Sequence, residues 1–395
     1  MKRSLILSLA ILSGLISYCS KTETDSLYQD NKQYNADPVV SSVEPADSAL
    51  AGVVTITLSG QNFSTDKDLN AVFFGKTKCT ILSASANQLI IQSPTVTGTL
   101  DLKATVLGAL NFSNPISYKL LVTVQKIGLF LSQSEFYSIA CDKDENLYIV
   151  NAYTKNIQKV TPDGQTIDLA NNGLGSTTCM LVGPNDSLYI TRGTKLVYRI
   201  PLTGAKEAKW ITAPITVNAF DFGEQQQIYI GGKADAIHIV DRAGKATAAA
   251  DYPNVIVSNI RVLNGYVYVA GQDQTSKLRY IWRNRIESPT QLAAREVFME
   301  WAAIQPDANY YITSMTGDLE GNIYLGSNDP KAAYVVHSDK TFEQFYTGMM
   351  EPTIYDMAWG NNEFMYVCKR GTDATQNAIQ KVNMMKKGAP YYGRN

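Results

Sequence analysis

Residues able to carry out catalytic or metal chemistry are few in this 395-residue sequence. Only two histidines occur, His238 and His337, which leaves little room for a histidine-based triad or a histidine-rich metal site. Asp142, Asp144 and Glu145 form an acidic cluster, but it lacks the full Ca²⁺-loop pattern with its terminal Glu. A solvated turn is the better interpretation. No nucleophile elbow, Walker loop or dinucleotide-binding glycine motif follows a suitable strand. The sequence therefore predicts no catalytic residue, no metal ligand and no cofactor.

Side chains suited to binding sugars recur instead, directly after strand-like apolar runs or between them. Amides and charges there can exchange hydrogen bonds with hydroxyl groups, and aromatic rings can stack on the apolar faces of sugar rings. The candidate ligand-binding residues are Tyr153, Arg192, Lys233, Tyr252, Gln272, Trp301, Asn328 and Arg370. Ordinary solvated loops also carry such residues, so the prediction depends on the fold gathering them around one surface.

The apolar runs that precede these residues belong to an internal repeat. Each copy has a strand core with a tyrosine at its centre, and the tyrosines are about 40 residues apart except for one interval of about 56. The six cores are centred on Tyr148, Tyr189, Tyr229, Tyr268, Tyr324 and Tyr366. A period near 40 is typical of a β-propeller with one four-stranded blade per repeat. The sequence thus predicts a six-bladed propeller over residues 121–395, with the tyrosines packed between blades.

The turn before each core carries the clearest signature. Asp318-Leu-Glu-Gly-Asn-Ile-Tyr-Leu325 resembles the core of the NHL repeat family, and Asp142 to Ile149 matches it with Glu145 in place of glycine. The resemblance implies the propeller fold. It implies little about function, because propellers include enzymes, scaffolds and binding proteins. NHL propellers most often act as protein-interaction scaffolds, which gives one alternative function for this chain.

The last repeat lacks an outer strand after Ile379-Gln-Lys-Val382. We expect the strand-like run at residues 121–130 to pair with the last blade and close the ring, because this removes an open sheet edge. The long interval between Tyr268 and Tyr324 predicts an extended hairpin in blade 4, followed by a longer loop into blade 5.

Residues 37–120 form a separate unit with short alternating strands and frequent turn residues. The combination of Gly60-Gln-Asn-Phe63, Val72-Phe-Phe-Gly75 and Pro94 resembles the IPT/TIG family of immunoglobulin-like domains. This resemblance implies a sandwich that serves as a spacer or an interaction module. The predicted fold class is therefore all-β, an N-terminal Ig-like sandwich plus a six-bladed β-propeller.

Residues 1–19 resemble a bacterial lipoprotein signal. Lys2 and Arg3 precede an apolar run from Leu5 to Ile16, too short to span a bilayer permanently, and Cys19 follows. The resemblance implies lipid attachment at Cys19, although Tyr18 stands where a small residue is preferred; ordinary cleavage nearby is the alternative. Residues 20–36 would form a flexible tether. We expect a lipid-anchored protein of the bacterial outer membrane that faces outward, with the periplasmic face as the alternative.

The remaining cysteines, Cys79, Cys141, Cys179 and Cys368, show no paired or repeated spacing. They are predicted to be buried thiols, with a disulfide between neighbouring blades left open. The formal net charge of −1 argues against a nucleic-acid partner, which would require a basic surface.

Three functions compete. The first is non-enzymatic binding of an extracellular glycan, since the layout resembles surface lipoproteins of bacterial polysaccharide uptake systems. The second is a scaffold for envelope proteins. The third is a metal-dependent hydrolase resembling gluconolactonases, which would use Asn151, Asp273 and Asn328, but no Glu occupies the corresponding place. The predicted function is glycan binding without catalysis, by a monomer or a member of a surface complex.

Overall fold

The computed structural model of the protein describes residues 34–171 and 175–394. Within these ranges the regular structure is almost entirely β. It comprises 33 strands, one four-residue helix, α1 (Trp301–Ile304), and short 3-10 helices at Lys67–Leu69, Ala374–Gln376 and Tyr392–Arg394. No helix in this part of the chain is long and apolar enough to cross a membrane. The predicted all-β fold class is confirmed.

The N-terminal unit is a sandwich of two sheets. The first has the order β1 (Val39–Glu44), β3 (Thr55–Gln61), β7 (Gln88–Gln92) and β6 (Thr80–Ser85). The second has the order β2 (Ser48–Leu50), β9 (Ile116–Leu121), β8 (Gly98–Val106), β4 (Asn70–Phe74) and β5 (Thr77–Lys78). Ile56 and Leu58 of β3 alternate with more exposed neighbours and pack in one buried cluster with Phe74 and Leu102 from the other sheet. This alternation is what a two-layer sandwich requires.

Six four-stranded blades follow, which confirms the predicted propeller. Blade 1 contains β11 (Phe136–Cys141), β12 (Leu147–Asn151), β13 (Asn156–Val160) and β14 (Thr166–Asn171). Blade 2 contains β15 (Cys179–Gly183), β16 (Ser187–Thr191), β17 (Thr194–Pro201) and the first half of β18 (Ala208–Phe222). Blade 3 contains the second half of β18, then β19 (Ile228–Lys233), β20 (Ala236–Val240) and β21 (Ala246–Asp251).

Blade 4 contains β22 (Val255–Leu263), β23 (Tyr266–Asp273), β24 (Arg279–Ser288) and β26 (Glu296–Glu300), with β25 (Gln291–Leu292) at the tip of the β24 hairpin. Blade 5 contains β27 (Ile312–Gly317), β28 (Ile323–Ser327), β29 (Ala333–Val336) and β30 (Phe342–Gln344). Blade 6 contains β31 (Ile354–Trp359), β32 (Phe364–Lys369), β33 (Ala378–Asn383) and, as its outer strand, β10 (Val124–Ile127). The extended hairpin predicted for blade 4 is present.

The ring closes as predicted, between the two ends of the propeller sequence. β10 pairs antiparallel with β33, and its register places Val124 opposite Val382 and Ile127 opposite Ile379. The outer edge of blade 6 is therefore covered by a strand that precedes blade 1 in the chain. This pairing removes the open edge that β33 would otherwise present.

The repeat signature organises a buried turn. The Asp142 carboxylate accepts hydrogen bonds from the backbone N–H groups of Asp144 and Asn146, both at 2.9 Å, and from the Tyr148 hydroxyl at 3.0 Å. Asp318 repeats this arrangement in blade 5. The predicted solvated turn is corrected in one respect, because Asp142 is only 5% exposed. Burial and the adjacent carboxylate raise the pKa of the Tyr148 hydroxyl.

All six repeat tyrosines are buried, as predicted for residues that pack between blades. Each belongs to a hydrophobic cluster that joins neighbouring blades. Tyr148, for example, packs in one cluster with Met180 and Ile190 of blade 2.

Candidate ligand-binding site

The inner strands of the six blades surround a central channel. Residues of β11, β15, β18, β22, β27 and β31 together line a cavity of about 420 Å³. This volume lies within the range of small-molecule sites, which is about 300–1,000 Å³. The cavity is therefore the first place to look for a ligand.

A ring of hydrogen bonds holds the inner strands around this cavity. Five of the six strands carry a register shift at a corresponding place, such as Val257/Asn259 in β22 and Ile354/Asp356 in β31. A bulge of this kind re-aims side chains away from the regular ladder. The bonds join Ser138 with Thr177, Cys179 with Phe220, Asn218 with Val257, Asn259 with Thr313, Thr313 with Ile354, and Asp356 with Ile139. They complete a circuit through all six blades.

The C-terminal segment closes one end of the channel. Residues 388–393 cross the ends of the inner strands: Ala389 N–H donates to the Gly317 carbonyl of blade 5 at 2.9 Å, and the Tyr392 hydroxyl donates to Glu224 of blade 3 at 2.9 Å. Gly393 lies directly beside the Val182 carbonyl of blade 2. The cavity therefore ends at this segment, and Tyr391 forms part of its lining.

We call residues 388–393 the channel floor. A buried ion pair lies against it. Arg261 Nη1 lies 2.7 Å from Asp221 Oδ2, and both residues are buried, at 6% and 1% exposure. Asp221 also accepts a bond from the Val262 N–H at 2.7 Å, and the guanidinium lies 5.0 Å from the centre of the Tyr391 ring. The pair links blades 3 and 4 to the C-terminal segment. A buried charge pair with additional hydrogen bonds of this kind is costly to break on one side.

The opposite end of the channel, where the inner strands begin, carries aromatic side chains. Tyr137 and Tyr355 pack edge to face, with ring centres 5.4 Å apart, and both line the cavity. The Arg370 guanidinium lies 4.6 Å from the first ring centre and 4.7 Å from the second. Tyr311, 44% exposed, stands at the rim of the cavity. We call Tyr137, Tyr311 and Tyr355 the mouth tyrosines.

Asp356 is a titratable residue of the channel wall whose pKa is raised. Its carboxylate accepts hydrogen bonds from the Ile139 N–H at 3.0 Å and the Met357 N–H at 2.9 Å. Burial within the disc raises the pKa of this carboxyl from 3.8 to about 7, while the two hydrogen bonds act in the opposite direction. Both oxygens are thus engaged by backbone groups, so Asp356 ties blade 6 to blade 1.

Two of the predicted ligand-binding residues are corrected by the structure. Tyr252 is fully buried, and its hydroxyl donates to Asn284 Oδ1 at 2.6 Å. Trp301 is 2% exposed in α1, and its Nε1 donates to the Tyr310 carbonyl at 3.0 Å. Both rings pack edge to face on core aromatics, Trp282 and Tyr334 respectively. Rings that are at most 2% exposed cannot stack on a sugar, so these residues stabilise the fold.

Three predicted residues adjoin the mouth. Arg370 packs on Tyr137 and Tyr355 and pairs with Glu135. Asn328 accepts a hydrogen bond from the Tyr311 N–H at 2.8 Å and so holds that residue in place. Gln272 lines a shallow groove of about 230 Å³ together with Tyr311 and Arg279.

The remaining three candidates lie outside the cavity. Tyr153 is 55% exposed, and Lys233 is exposed at the end of β19. Arg192 pairs with Glu207 at 2.7 Å and packs on the Tyr198 ring at 4.9 Å. None of the three contributes to the cavity lining. Cys19 precedes the described residues, so its prediction lies outside them.

The positions considered for a metal are engaged in structural hydrogen bonds. Asn151 is fully buried and donates to Ser134 and to Gln158, each at 2.9 Å. The Asp273 carboxylate caps the N–H groups of Thr275 and Ser276, both at 2.8 Å. In residues 34–171 and 175–394, no group of three or more His, Cys, Asp or Glu side chains is placed to hold a metal ion.

The described cysteines form no disulfide with one another. Cys141 and Cys179 both belong to the cavity lining. Burial raises the pKa of the Cys179 thiol, and it raises that of Cys79 in the sandwich to about 12. The thiols of Cys179 and Cys79 are therefore protonated near neutral pH.

Sequence reasoning missed the mouth tyrosines Tyr137 and Tyr355. Each immediately precedes a pair that the repeat marks, Ser138-Ile139 and Asp356-Met357. An aligned reading of the start of every inner strand would have found them. The channel floor had no such signal, because it lies outside the repeats.

Comparisons with known proteins agree with this architecture. The IPT/TIG domain family matches residues 38–122, the range of the N-terminal sandwich. No curated protein sequence matches the chain.

Two solved structures from Bacteroides thetaiotaomicron VPI-5482 resemble this protein over most of its length. One is an auxiliary nutrient binding protein, 13% identical, which covers 88% of this chain and 98% of its own with a TM-score of 0.53. The other is named for a suspected phosphatase activity and is 11% identical, with 88% and 97% coverage and a TM-score of 0.57. At such identities the likeness concerns the fold alone, and the fold is an IPT/TIG-type sandwich followed by a six-bladed β-propeller.

Proposed function

We propose that this protein is a non-enzymatic, lipid-anchored protein of the bacterial cell surface that binds an extracellular glycan at the channel mouth. One observation carries the proposal: the cavity of about 420 Å³ has aromatic side chains at its mouth and the C-terminal segment at its other end. A ligand would enter from the mouth alone. A cavity that is open at one end accommodates an oligosaccharide or the end of a polysaccharide better than the middle of a polymer chain.

The chemistry of the mouth supports a sugar ligand. Tyrosine offers an apolar ring face for stacking and a hydroxyl for hydrogen bonding. Tyr311 stands beside the groove that Gln272 and Arg279 line, so amide and guanidinium donors adjoin an aromatic surface. We expect modest affinity at one site, because sugar contacts exchange hydrogen bonds with water for hydrogen bonds with protein.

The nutrient-binding function named for one structural relative accords with this proposal. That protein comes from a Bacteroides species, and its fold covers both units of this chain. A shared fold at 13% identity leaves the ligand open. The choice of a glycan therefore rests on the chemistry of the mouth.

The anchoring part of the proposal rests on Cys19. A charged n-region, an apolar run and a terminal cysteine precede a polar segment. Mass spectrometry of the N-terminal peptide from bacterial membranes would show an acylated Cys19 as the first residue. A mature N-terminus at any other residue would remove the lipoprotein proposal.

The binding part can be tested on the purified mature chain with a broad panel of oligosaccharides and polysaccharides. Affinity electrophoresis and calorimetry should detect at least one ligand, and product analysis should find it intact. No binding to any glycan, together with a stable protein complex recovered by crosslinking, would favour the scaffold function. Release of a cleaved product would favour a hydrolase.

A further inference from the structure

An exposed apolar loop lies at one tip of the sandwich. Leu107, Leu110 and Phe112 are 69%, 67% and 52% exposed, and Tyr34 beside them is 56% exposed. The loop sequence, Leu107-Gly-Ala-Leu-Asn-Phe112, contains no charged residue. Clustered apolar side chains at a protein surface indicate an interaction site more often than isolated ones do.

The loop is held in place by the segment that enters the domain. Asn35 N–H donates to the Gly108 carbonyl and Asn35 Nδ2 to the Leu107 carbonyl, each at 2.8 Å. The Asp37 carboxylate accepts hydrogen bonds from Leu110 N–H at 3.1 Å and Asn111 N–H at 2.8 Å. These bonds fix the backbone of the loop to the segment that enters the domain. The apolar side chains are therefore presented outward by an ordered support.

This tip is the end of the sandwich farthest from the propeller. β8 runs from Gly98, which pairs with Leu120 near the junction, to Val106 at the loop. At the junction, Thr123 Oγ1 donates to the Ala51 carbonyl at 2.5 Å, and Gly52 lies beside Met349, in the segment that joins blades 5 and 6. A nine-residue strand is about 30 Å long. The propeller is thus held well away from the loop.

The chain enters the domain within the same apolar patch. Tyr34 is the first described residue, and Cys19 precedes it by about fifteen residues, a stretch that reaches at most about 50 Å. A lipid on Cys19 would therefore keep the loop close to the bilayer surface at a high effective concentration.

We propose that the loop 107–112, with Tyr34, inserts its apolar side chains into the interfacial zone of the bilayer that carries the lipid on Cys19. Aromatic and aliphatic side chains favour this zone, and the loop has no charge to desolvate. The contact would make the sandwich stand on the membrane and present the propeller outward. This inference rests on the proposed lipid anchor at Cys19, which brings the bilayer to the loop. The experiments below test the loop contact and the anchor separately.

The test places an environment-sensitive fluorophore on the loop of the acylated protein. Leu110→Cys, labelled with a nitrobenzoxadiazole group, is reconstituted in vesicles of phosphatidylethanolamine and phosphatidylglycerol. The control is Thr99→Cys, an exposed position near the propeller end of the same strand. We expect blue-shifted emission and quenching by brominated lipid at position 110, and neither at position 99. Water-like emission at 110 from protein that co-floats with the vesicles would overturn the loop contact and leave the anchor standing.

A second measurement removes the acyl chains. The mature chain from Cys19, produced without its signal, is floated with the same vesicles. Replacing Leu107, Leu110 and Phe112 together by Ser should lower the bound fraction at least about tenfold, since each side chain contributes to apolar transfer. Replacing Leu82, Leu129 and Leu131, which are also exposed, should leave it unchanged. Equal binding by both variants would reject the loop as the contact even if Cys19 proves to be acylated.

Discussion

The Tyr366 hydroxyl of blade 6 donates a hydrogen bond to the Glu145 carboxylate of blade 1 at 2.6 Å. The same carboxylate accepts a bond from the Asn362 N–H at 2.9 Å. In blades 1 and 5 this place is taken by the blade's own aspartate, Asp142 or Asp318. Blade 6 has Gly360 there, and the glycine leaves room for the side chain from the neighbouring blade. Glu145, which stands in place of the glycine of the repeat pattern, therefore links blade 1 to blade 6 where the ring closes.

This relationship predicts that restoring the repeat pattern will harm the protein. Glu145 has a φ of 63°, which glycine adopts more easily, yet Glu145→Gly should lower the free energy of unfolding by about 1–3 kcal/mol, because the hydrogen bonds that its carboxylate accepts from blade 6 are lost. Gln226→Gly is the matched control, since Gln226 has a φ of 64° in the corresponding turn of blade 3. It should be neutral or slightly stabilising. Urea unfolding measures the stability of both variants. Equal effects would argue against a stabilising link between Glu145 and blade 6.

The second prediction concerns pH and Asp356. Its pKa in the folded protein is raised to about 7, so the folded state holds this proton more tightly than the unfolded state does. The stability from that difference is fully present below pH 3.8 and is lost as pH rises through about 7. Asp356→Asn cannot ionise, so its melting temperature relative to wild type should rise from about pH 4 to about pH 7 and stay constant above that. The other carboxyl groups are common to both proteins and cancel in this difference. A constant difference across that range would show that Asp356 does not titrate there.

The third prediction compares two arginine–carboxylate pairs. Arg261→Ala leaves Asp221 buried with an unpaired charge and should cost about 3–5 kcal/mol of unfolding free energy. Arg192→Ala breaks the more exposed pair with Glu207 and should cost about 1 kcal/mol or less. Chemical denaturation distinguishes these values. Similar small costs for both would mean that the channel floor is not fastened through Arg261.

The fourth prediction follows from the burial of Trp301. Trp301→Ala should destabilise the protein by about 3–5 kcal/mol through cavity formation. The fraction that remains folded should bind glycan as wild type does. Thermal unfolding and calorimetry at low temperature separate the two effects. A variant with unchanged stability and lost glycan binding would indicate that Trp301 contacts the ligand.

The fold followed closely from periodic sequence features. The tyrosine-centred cores predicted six blades, and the missing strand after Val382 predicted that residues near Val124 would close the ring. Both features depend on local patterns, an apolar strand core and an unpaired edge, which sequence displays directly.

The ligand-binding residues were predicted less accurately than the fold, because the position of a residue after a strand does not determine how exposed its side chain is. Trp301 and Tyr252 lie where loops were expected, but an added helix and a tyrosine–asparagine hydrogen bond bury them. The positions of Tyr137 and Tyr355 depend on bulges in the inner strands, which turn side chains out of the alternating pattern. The channel floor depends on long-range contacts such as Tyr392 with Glu224, which no local pattern displays.

The most direct test of the central claim is the effect of the mouth tyrosines on glycan affinity. Titration calorimetry would compare Tyr137→Ala and Tyr355→Ala with Tyr153→Ala, an exposed tyrosine outside the cavity. With a glycan identified by the panel, the first two should weaken binding by about 1–3 kcal/mol each, through lost stacking area, and the third should bind as wild type does. If all three bind equally while the folded fraction is unchanged, the channel mouth is not the binding site.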